Sequence, residues 1–151
     1  MKRFEPLEHT ADVGLRIFGG TRAELLAHAA QGMFALIGQA TFPDSEQREL
    51  SLQIVTPGIP TSMTSSESRR YDEDLLIAFM KRLLQEFNLH SFFPVSVHVE
   101  LTSDGCTARL GGGTFDLARH AFNTEIKGVT LHGLKVVKID SGWEAEVVFD
   151  V

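Results

Sequence analysis

Alternating apolar and polar residues predict six β-strands in this chain. The alternating segments are residues 13–18, 50–56, 95–101, 106–110, 129–139 and 143–151. Every second residue in these segments is mainly apolar, which is the period of a strand with one buried face. Between the third and fourth segments, Asp104-Gly105 is a strong hairpin signal.

Two stretches have the spacing of amphipathic helices instead. The first begins at Thr21, which is followed three residues later by Glu24 as in a capping box, and Gly38 ends it. The second is predicted from about Asp72 to Phe87. Its apolar face consists of Leu75, Leu76, Phe79, Met80, Leu83, Leu84 and Phe87.

This order of elements indicates an α+β fold of two layers. Hairpin-connected strands favour antiparallel pairing, so we expect two helices packed on one face of a mostly antiparallel sheet of about six strands. A length of 151 residues is typical of a single domain, here 1–151. Residues 56–70 are rich in Ser, Thr and Pro, which predicts a mobile surface loop.

Composition narrows the classes of function. The net charge is −6, and an acidic domain is poorly suited to bind a polyanion, so no strong direct nucleic-acid binding is expected. The surplus carboxylates suit a basic protein partner, hard metal ions or plain solubility. No apolar run is long enough to cross a bilayer, and no secretory signal follows the N-terminus. A cytoplasmic protein without a membrane partner is expected.

Acidic and histidine side chains from separated segments are the candidates for chemistry. They are His9, Asp12, Asp72, Glu73, Asp74, His120, Glu125, His132, Asp150 and the terminal carboxylate of Val151. Carboxylates brought together from several segments are what Ca²⁺, Mg²⁺ or Mn²⁺ requires. Each candidate also has a structural alternative, such as a turn at Asp12 or a helix-dipole role for the triplet that begins at Asp72. Asp150 is unusual because it ends an apolar run, VVFDV.

Other motifs favour structural roles. The glycine runs at Gly19 and Gly111 lack the spacing and the Lys of a phosphate-binding loop, which indicates tight turns. The single cysteine, Cys106, excludes an internal disulfide and lies in a strand, which favours a packed core thiol. No nucleophile and base occur together in the pattern of a hydrolase.

Three segments in order resemble the archease family. They are EHTADVGLRIFGGTRAELLAHAAQGMFALIG, EIKGVTLHGLKV and GWEAEVVFDV, which together bracket nearly the whole chain. The resemblance implies a non-enzymatic accessory protein of RtcB-type RNA ligases, which join RNA ends in tRNA splicing and repair. Such a protein promotes guanylylation of the active-site histidine of the ligase and supports multiple turnover.

The resemblance also implies a site. The essential acidic and metal-binding positions of the family map onto Asp12 and Asp150, with one further carboxylate near the start of the second helix. The predicted metal ligands are Asp12, Asp150, Asp72 and Val151, for a Ca²⁺, Mg²⁺ or Mn²⁺ ion. The predicted supporting residues are His9, Asp74, His120, Glu125, Lys127 and His132.

The chain departs from the family pattern at this further carboxylate. The second-helix Asp of the family usually stands four residues before the first Leu of the Leu-Leu pair, and that position is Tyr71 here. Asp72 follows one residue later, and one residue turns a helix by about 100°. The third carboxylate is therefore Asp72, Asp74 or absent. Gly128 and Leu131 also replace the usual Ala and Tyr.

Two other hypotheses remain open. A chaperone-like scaffolding module would bind an RNA-processing or RNA-modifying enzyme through its acidic surface without metal chemistry. A stand-alone metal-dependent hydrolase is the third hypothesis, and the missing nucleophile and base argue against it.

Overall fold

The computed structural model describes residues 2–8, 12–56 and 65–151. The helices are α1 (Arg22–Ile37) and α2 (Ser65–His90), with a short 3-10 helix at Asp44–Glu46. The strands within the described residues are β1 (Phe4–Glu8), β2 (Val13–Gly19), β3 (Gly38–Gln39), β4 (Arg48–Val55), β5 (Phe92–Thr102), β6 (Gly105–Thr114), β7 (Ala121–Phe122), β8 (Gly128–Ile139) and β9 (Gly142–Asp150).

The strands form three antiparallel sheets. The four-stranded sheet has the order β1-β2-β9-β8, the three-stranded sheet has the order β4-β6-β5, and β3 pairs with β7. Helix α1 packs against β5 and β2, whereas α2 packs mainly against β8. The fold is therefore a mixture of two helices and antiparallel sheets, as the sequence predicts.

The predicted helix boundaries are confirmed at α1 and corrected at α2. The Thr21 hydroxyl accepts a hydrogen bond from the Glu24 backbone N–H at 3.1 Å, and the Gly38 N–H donates to Phe34 O. Helix α2 begins at Ser65 rather than at Asp72. Residues 65–70 are therefore helical and not loop, and residues 57–64 of the predicted loop lie outside the described residues.

Strand number is the second correction. All six predicted strands are present, and β1, β3 and β7 add to them, so the described residues form nine strands in three sheets rather than about six in one. Strands β3 and β7 have two residues each, too short for alternation to be visible. Strand β1 contains Pro6, and proline usually argues against a strand except at a sheet edge, where β1 lies.

One core joins both helices to the sheets. Ile17, Phe79, Leu110 and Phe149 are among its most completely buried side chains. Cys106 is also buried, as predicted, and burial raises the pKa of its thiol to about 11. Very little reactive thiolate therefore exists at neutral pH.

Candidate functional site

Asp12 and Asp150 lie at the same end of the four-stranded sheet. Strands β2 and β9 are antiparallel neighbours, and Val13 of β2 pairs with Phe149 of β9. Asp12 directly precedes this pair on one strand and Asp150 directly follows it on the other. Paired residues of neighbouring strands have Cα atoms about 4.5 to 5.5 Å apart. The strand pairing thus places these two aspartates, which are distant in sequence, at the same end of the sheet.

The apolar run before Asp150 has a structural explanation. Val147, Val148 and Phe149 are all buried, because both faces of β9 are covered at this point. Asp150 is the last residue of the strand and is exposed, as is Asp12. We call the sheet terminus that carries Asp12 and Asp150 the acidic end.

The backbone of Asp150 is held on its other side by β8. Gly128 pairs with Asp150, and the Lys127 N–H donates to Asp150 O at 2.7 Å. Val151, the remaining predicted ligand at this end, is exposed. The strand ladder therefore fixes the position of Asp150 while its side chain faces solvent.

Three of the predicted supporting residues belong to β8 or to the segment leading into it. Glu125 and Lys127 are exposed just before β8. His132 lies where the β8–β9 register shifts between Thr130 and Lys135. Its backbone N–H donates to Thr130 Oγ1 at 3.3 Å, and the Thr130 hydroxyl donates to Val148 O at 3.1 Å. The hydrogen bond between Thr130 and Val148 connects β9 to the start of the segment in which the register shifts.

Asp72 is not brought to the acidic end. Arg22 donates a hydrogen bond from Nε to its Oδ1 atom at 2.9 Å, and Arg22 Nη2 forms an ion pair with the same oxygen at 2.8 Å. Asp72 lines a small cavity together with Val136, which pairs with Ala145 on β9. Ala145 is five residues from Asp150, a separation of about 17 Å along a strand. The four predicted metal ligands therefore do not form one group.

The environment of Asp72 is that of a structural ion pair. Its side chain is only 11% exposed, and burial raises the pKa of its carboxyl group, against the opposing effect of Arg22. Residues 72–74 lie two turns inside α2, so the helix-dipole explanation of the acidic triplet is wrong. Tyr71, the residue at the family's usual Asp position, is buried.

The other predicted supporting residues are elsewhere. His120 has a structural role: its Nδ1 accepts from the Asp116 N–H at 2.9 Å, and its ring packs against Phe42 and Phe115. Asp74 is exposed on α2. His9 lies outside the described residues.

The two carboxylates at the acidic end can provide only part of the coordination shell of a metal ion. In the described ranges 2–8, 12–56 and 65–151, no three His, Cys, Asp or Glu side chains are arranged to hold a metal ion. Mg²⁺ is commonly bound through one or two protein carboxylates, with water and substrate phosphates completing its octahedron. Asp12 and Asp150 fit this kind of open site better than a cage made entirely of protein ligands.

Comparison with known proteins decides the family. The profile of the archease protein family (MTH1598/TM1083) matches residues 4–151. The chain belongs to the archease family. It is 31% identical over 156 residues to the protein archease of Methanosarcina barkeri, covering 99% of this chain and 97% of that protein. The archease of Thermococcus gammatolerans is 29% identical and is matched over 100% of both chains.

Solved structures show the same fold. The solution structure of Methanobacterium thermoautotrophicum protein 1598 has a TM-score of 0.67 at 22% identity, with both chains fully covered. The crystal structure of an archease from Thermotoga maritima, described as a possible chaperone, has a TM-score of 0.64 at 22% identity. It covers 97% of this chain and 96% of its own. The resemblance to archease in the sequence is thereby confirmed, together with the α+β fold.

Several contacts of this archease were not predictable from its sequence. Arg16 lies in a cluster of carboxylates on the four-stranded sheet and contacts Glu5, Glu144 and Glu146 at 2.9 to 3.5 Å. Hydrogen bonding to Glu146 is the main reason why the pKa of Arg16 is raised. The alternation of β9 indicated an exposed face for these glutamates but not their shared partner on β2.

Neither helix in the described residues combines the length and hydropathy that a bilayer crossing needs.

Proposed function

We propose that this archease is a metal-binding accessory protein that activates an RtcB-type RNA ligase. It promotes guanylylation of the active-site histidine of the ligase and allows multiple turnover in tRNA splicing or RNA repair. The observation that supports this proposal is the position of Asp12 and Asp150. Two exposed carboxylates, one just before β2 and one at the end of the neighbouring β9, leave most of an ion's coordination shell open to groups from a partner.

The proposal assigns each carboxylate a holding role. Asp12 and Asp150 bind one Mg²⁺, Mn²⁺ or Ca²⁺ ion, and the backbone bonds of β8 and β9 fix the position of Asp150. The bound ion supplies charge that aligns and neutralises nucleotide phosphates during attack. The net charge of −6 disfavours direct capture of RNA, so the protein acts through the ligase.

The test is a guanylylation and ligation assay with the RtcB-type ligase from the same organism. We expect the wild-type protein to increase both the guanylylated fraction and the number of turnovers. Asp12→Asn and Asp150→Asn should each remove this stimulation, because an amide is a weak replacement for a metal-binding carboxylate. Asp104→Asn, in the exposed β5–β6 turn, is the matched control and should stimulate normally. Unchanged stimulation by both site variants would show that the assigned site is wrong.

A scaffolding role without metal is the second candidate. The absence of a three-residue ligand group in the described ranges favours it, and the Thermotoga maritima archease is described as a possible chaperone. Calorimetric titration distinguishes the two functions. A stable complex with the ligase and no heat of binding for Mg²⁺, Mn²⁺ or Ca²⁺ would support the scaffold and contradict the metal-dependent proposal.

A further inference from the structure

Two adjoining cavities lie at the end of the four-stranded sheet opposite the acidic end. One, of about 460 Å³, is bounded by α2 and β8 and is lined in part by Arg69, Asp72, Lys138 and Trp143. The other, of about 490 Å³, is bounded by the start of α1 and the β8–β9 turn, and it shares Lys138 and Trp143 with the first. We call the two cavities together the Trp143 cleft. Each has the volume of a small-molecule site.

The strand register places an aromatic ring beside a cation in this cleft. Lys138 and Trp143 are direct partners across β8 and β9. They follow the buried pair Val136 and Ala145 on the same face of the sheet, just beyond the core. Trp143 is half-buried: part of its side chain packs against the core, and part lines both cavities. A rigid apolar surface is thus available next to an ammonium group.

The positive charge of the cleft is available to a ligand. In the part of the chain that the structure describes, neither Arg69 nor Lys138 has an ion pair, whereas Arg22 is bound to Asp72. The first cavity therefore combines one carboxylate that is paired with Arg22 with two cations that have no ion pair among the described residues. Asp140 lines the second cavity and offsets part of this charge. Two cations that line one cleft stand out in a protein with a net charge of −6.

We propose that the Trp143 cleft binds a nucleoside phosphate, with the base against the indole of Trp143 and the phosphate between Arg69 and Lys138. Nucleobases stack on aromatic side chains without requiring a particular hydrogen-bond pattern. Guanidinium and ammonium groups form charge-assisted hydrogen bonds with phosphate oxygens. The acidic remainder of the protein repels a polyanion, so a mononucleotide is favoured over a nucleic-acid strand. This inference goes beyond the proposed activation of a ligase and does not depend on it.

Trp143 itself provides the measurement because it is the only tryptophan in the chain. Titration with GMP should change its fluorescence in a saturable manner after correction for absorption. Lys138→Gln and Arg69→Gln should each weaken binding by about tenfold or more, as expected for one charge-assisted hydrogen bond. The matched controls are Lys135→Gln, on the opposite face of β8, and Arg70→Gln, which lines neither cavity. Both controls should bind GMP as the wild-type protein does.

Partial ligands separate the contributions of base and phosphate. Guanosine and inorganic phosphate should each bind more weakly than GMP, because each lacks one half of the contact. Equal binding of GMP and inorganic phosphate would overturn the role assigned to the indole. Absence of saturable binding of GMP would overturn the proposal. Binding of an aspartate-rich peptide without binding of GMP would overturn it as well, in favour of a peptide site.

Discussion

The two ends of the four-stranded sheet carry aspartates in opposite situations. At the acidic end, Asp12, just before β2, and Asp150, the last residue of the neighbouring β9, are exposed. At the other end, Asp72 is largely buried, accepts a hydrogen bond from Arg22 and forms an ion pair with it. Three residues of the same type therefore differ in how available their carboxylate oxygen atoms are. A carboxylate free to bind an ion is distinguished from a structural one by its environment and not by its residue type.

Substitution of Gly142, where β9 begins, tests how closely the end of the sheet that carries Trp143 is packed. Gly142 has φ +141°, and a Cβ atom there would overlap the carbonyl oxygen of Gly19. Because strain and overlap add, we expect Gly142→Ala to lower the free energy of unfolding by about 2 to 4 kcal/mol in urea denaturation. Gly133→Ala is the control, since Gly133 has φ +67° and no described residue beyond its chain neighbours lies within 4 Å of the added Cβ atom. It should cost only about 1 kcal/mol. Equal losses of stability in the two variants would show that overlap with Gly19 does not cause the loss in Gly142→Ala.

The Arg22–Asp72 pair gives a prediction with a pH dependence. Burial raises the pKa of Asp72 in the folded protein, so the folded state binds this proton more tightly than the unfolded state. The unfavourable contribution of ionised Asp72 therefore begins to decrease as the pH falls through its folded pKa, and it is gone below the lower pKa of the unfolded state. Arg22→Ala removes the compensating cation and should cost about 1 to 3 kcal/mol at neutral pH. The loss should shrink in mildly acidic buffer, where Asp72 becomes protonated.

The double variant Arg22→Ala/Asp72→Asn distinguishes lost charge compensation from lost packing. If the unpaired buried charge is the cause, the double variant should recover most of the stability at neutral pH, and its remaining loss should not change with pH. A loss in Arg22→Ala that is the same at both pH values would contradict this explanation.

Metal addition should separate the two ends directly. At ten times the dissociation constant, Mn²⁺ or Mg²⁺ should stabilise the wild-type protein by about 1.4 kcal/mol, since it binds only the folded site. Asp12→Asn and Asp150→Asn should abolish this gain while changing the metal-free stability by less than about 0.5 kcal/mol, as is usual for exposed positions. Asp72→Asn should retain the gain in thermal unfolding. If only Asp72→Asn lost the metal-induced stabilisation, the ion would bind near Asp72 and not at the acidic end.

Local patterns account for what the sequence predicted correctly. The Thr21 cap and the six main strands depend on residues close in sequence, which is why both are confirmed. The beginning of α2 was missed because Ser65–Arg70 has no apolar face, and hydrophobic periodicity cannot reveal a polar helical turn. Site geometry depends instead on long-range pairing. Arg22 and Asp72 are 50 residues apart, and nothing in the local sequence specifies that they meet.

The geometry of the acidic end also depends on long-range pairing, but there the family resemblance had already indicated the residues. The family resemblance selected Asp12 and Asp150, and the β2–β9 register then gave a physical reason for their proximity. No comparable register connects Asp72 with them, because its helix packs on β8 near Val136. A third ligand from α2 was therefore an expectation of the resemblance that the geometry of this chain does not support.

Gly128 provides the smallest expected effect and the closest test of the acidic end. It pairs with Asp150, its φ lies outside the left-handed range, and a Cβ atom there would meet no atom of the described residues within 4 Å apart from its chain neighbours. Gly128→Ala should therefore raise the free energy of unfolding by about 0.4 to 1 kcal/mol, because it restricts the unfolded chain without disturbing the strand. Metal affinity should not change, since the added methyl group touches nothing near Asp150. A loss of stability or of metal binding would show that this end is more closely packed than the open position of Gly128 implies. In that case, the expected difference in packing between the acidic end at Gly128 and the opposite end at Gly142 would be wrong.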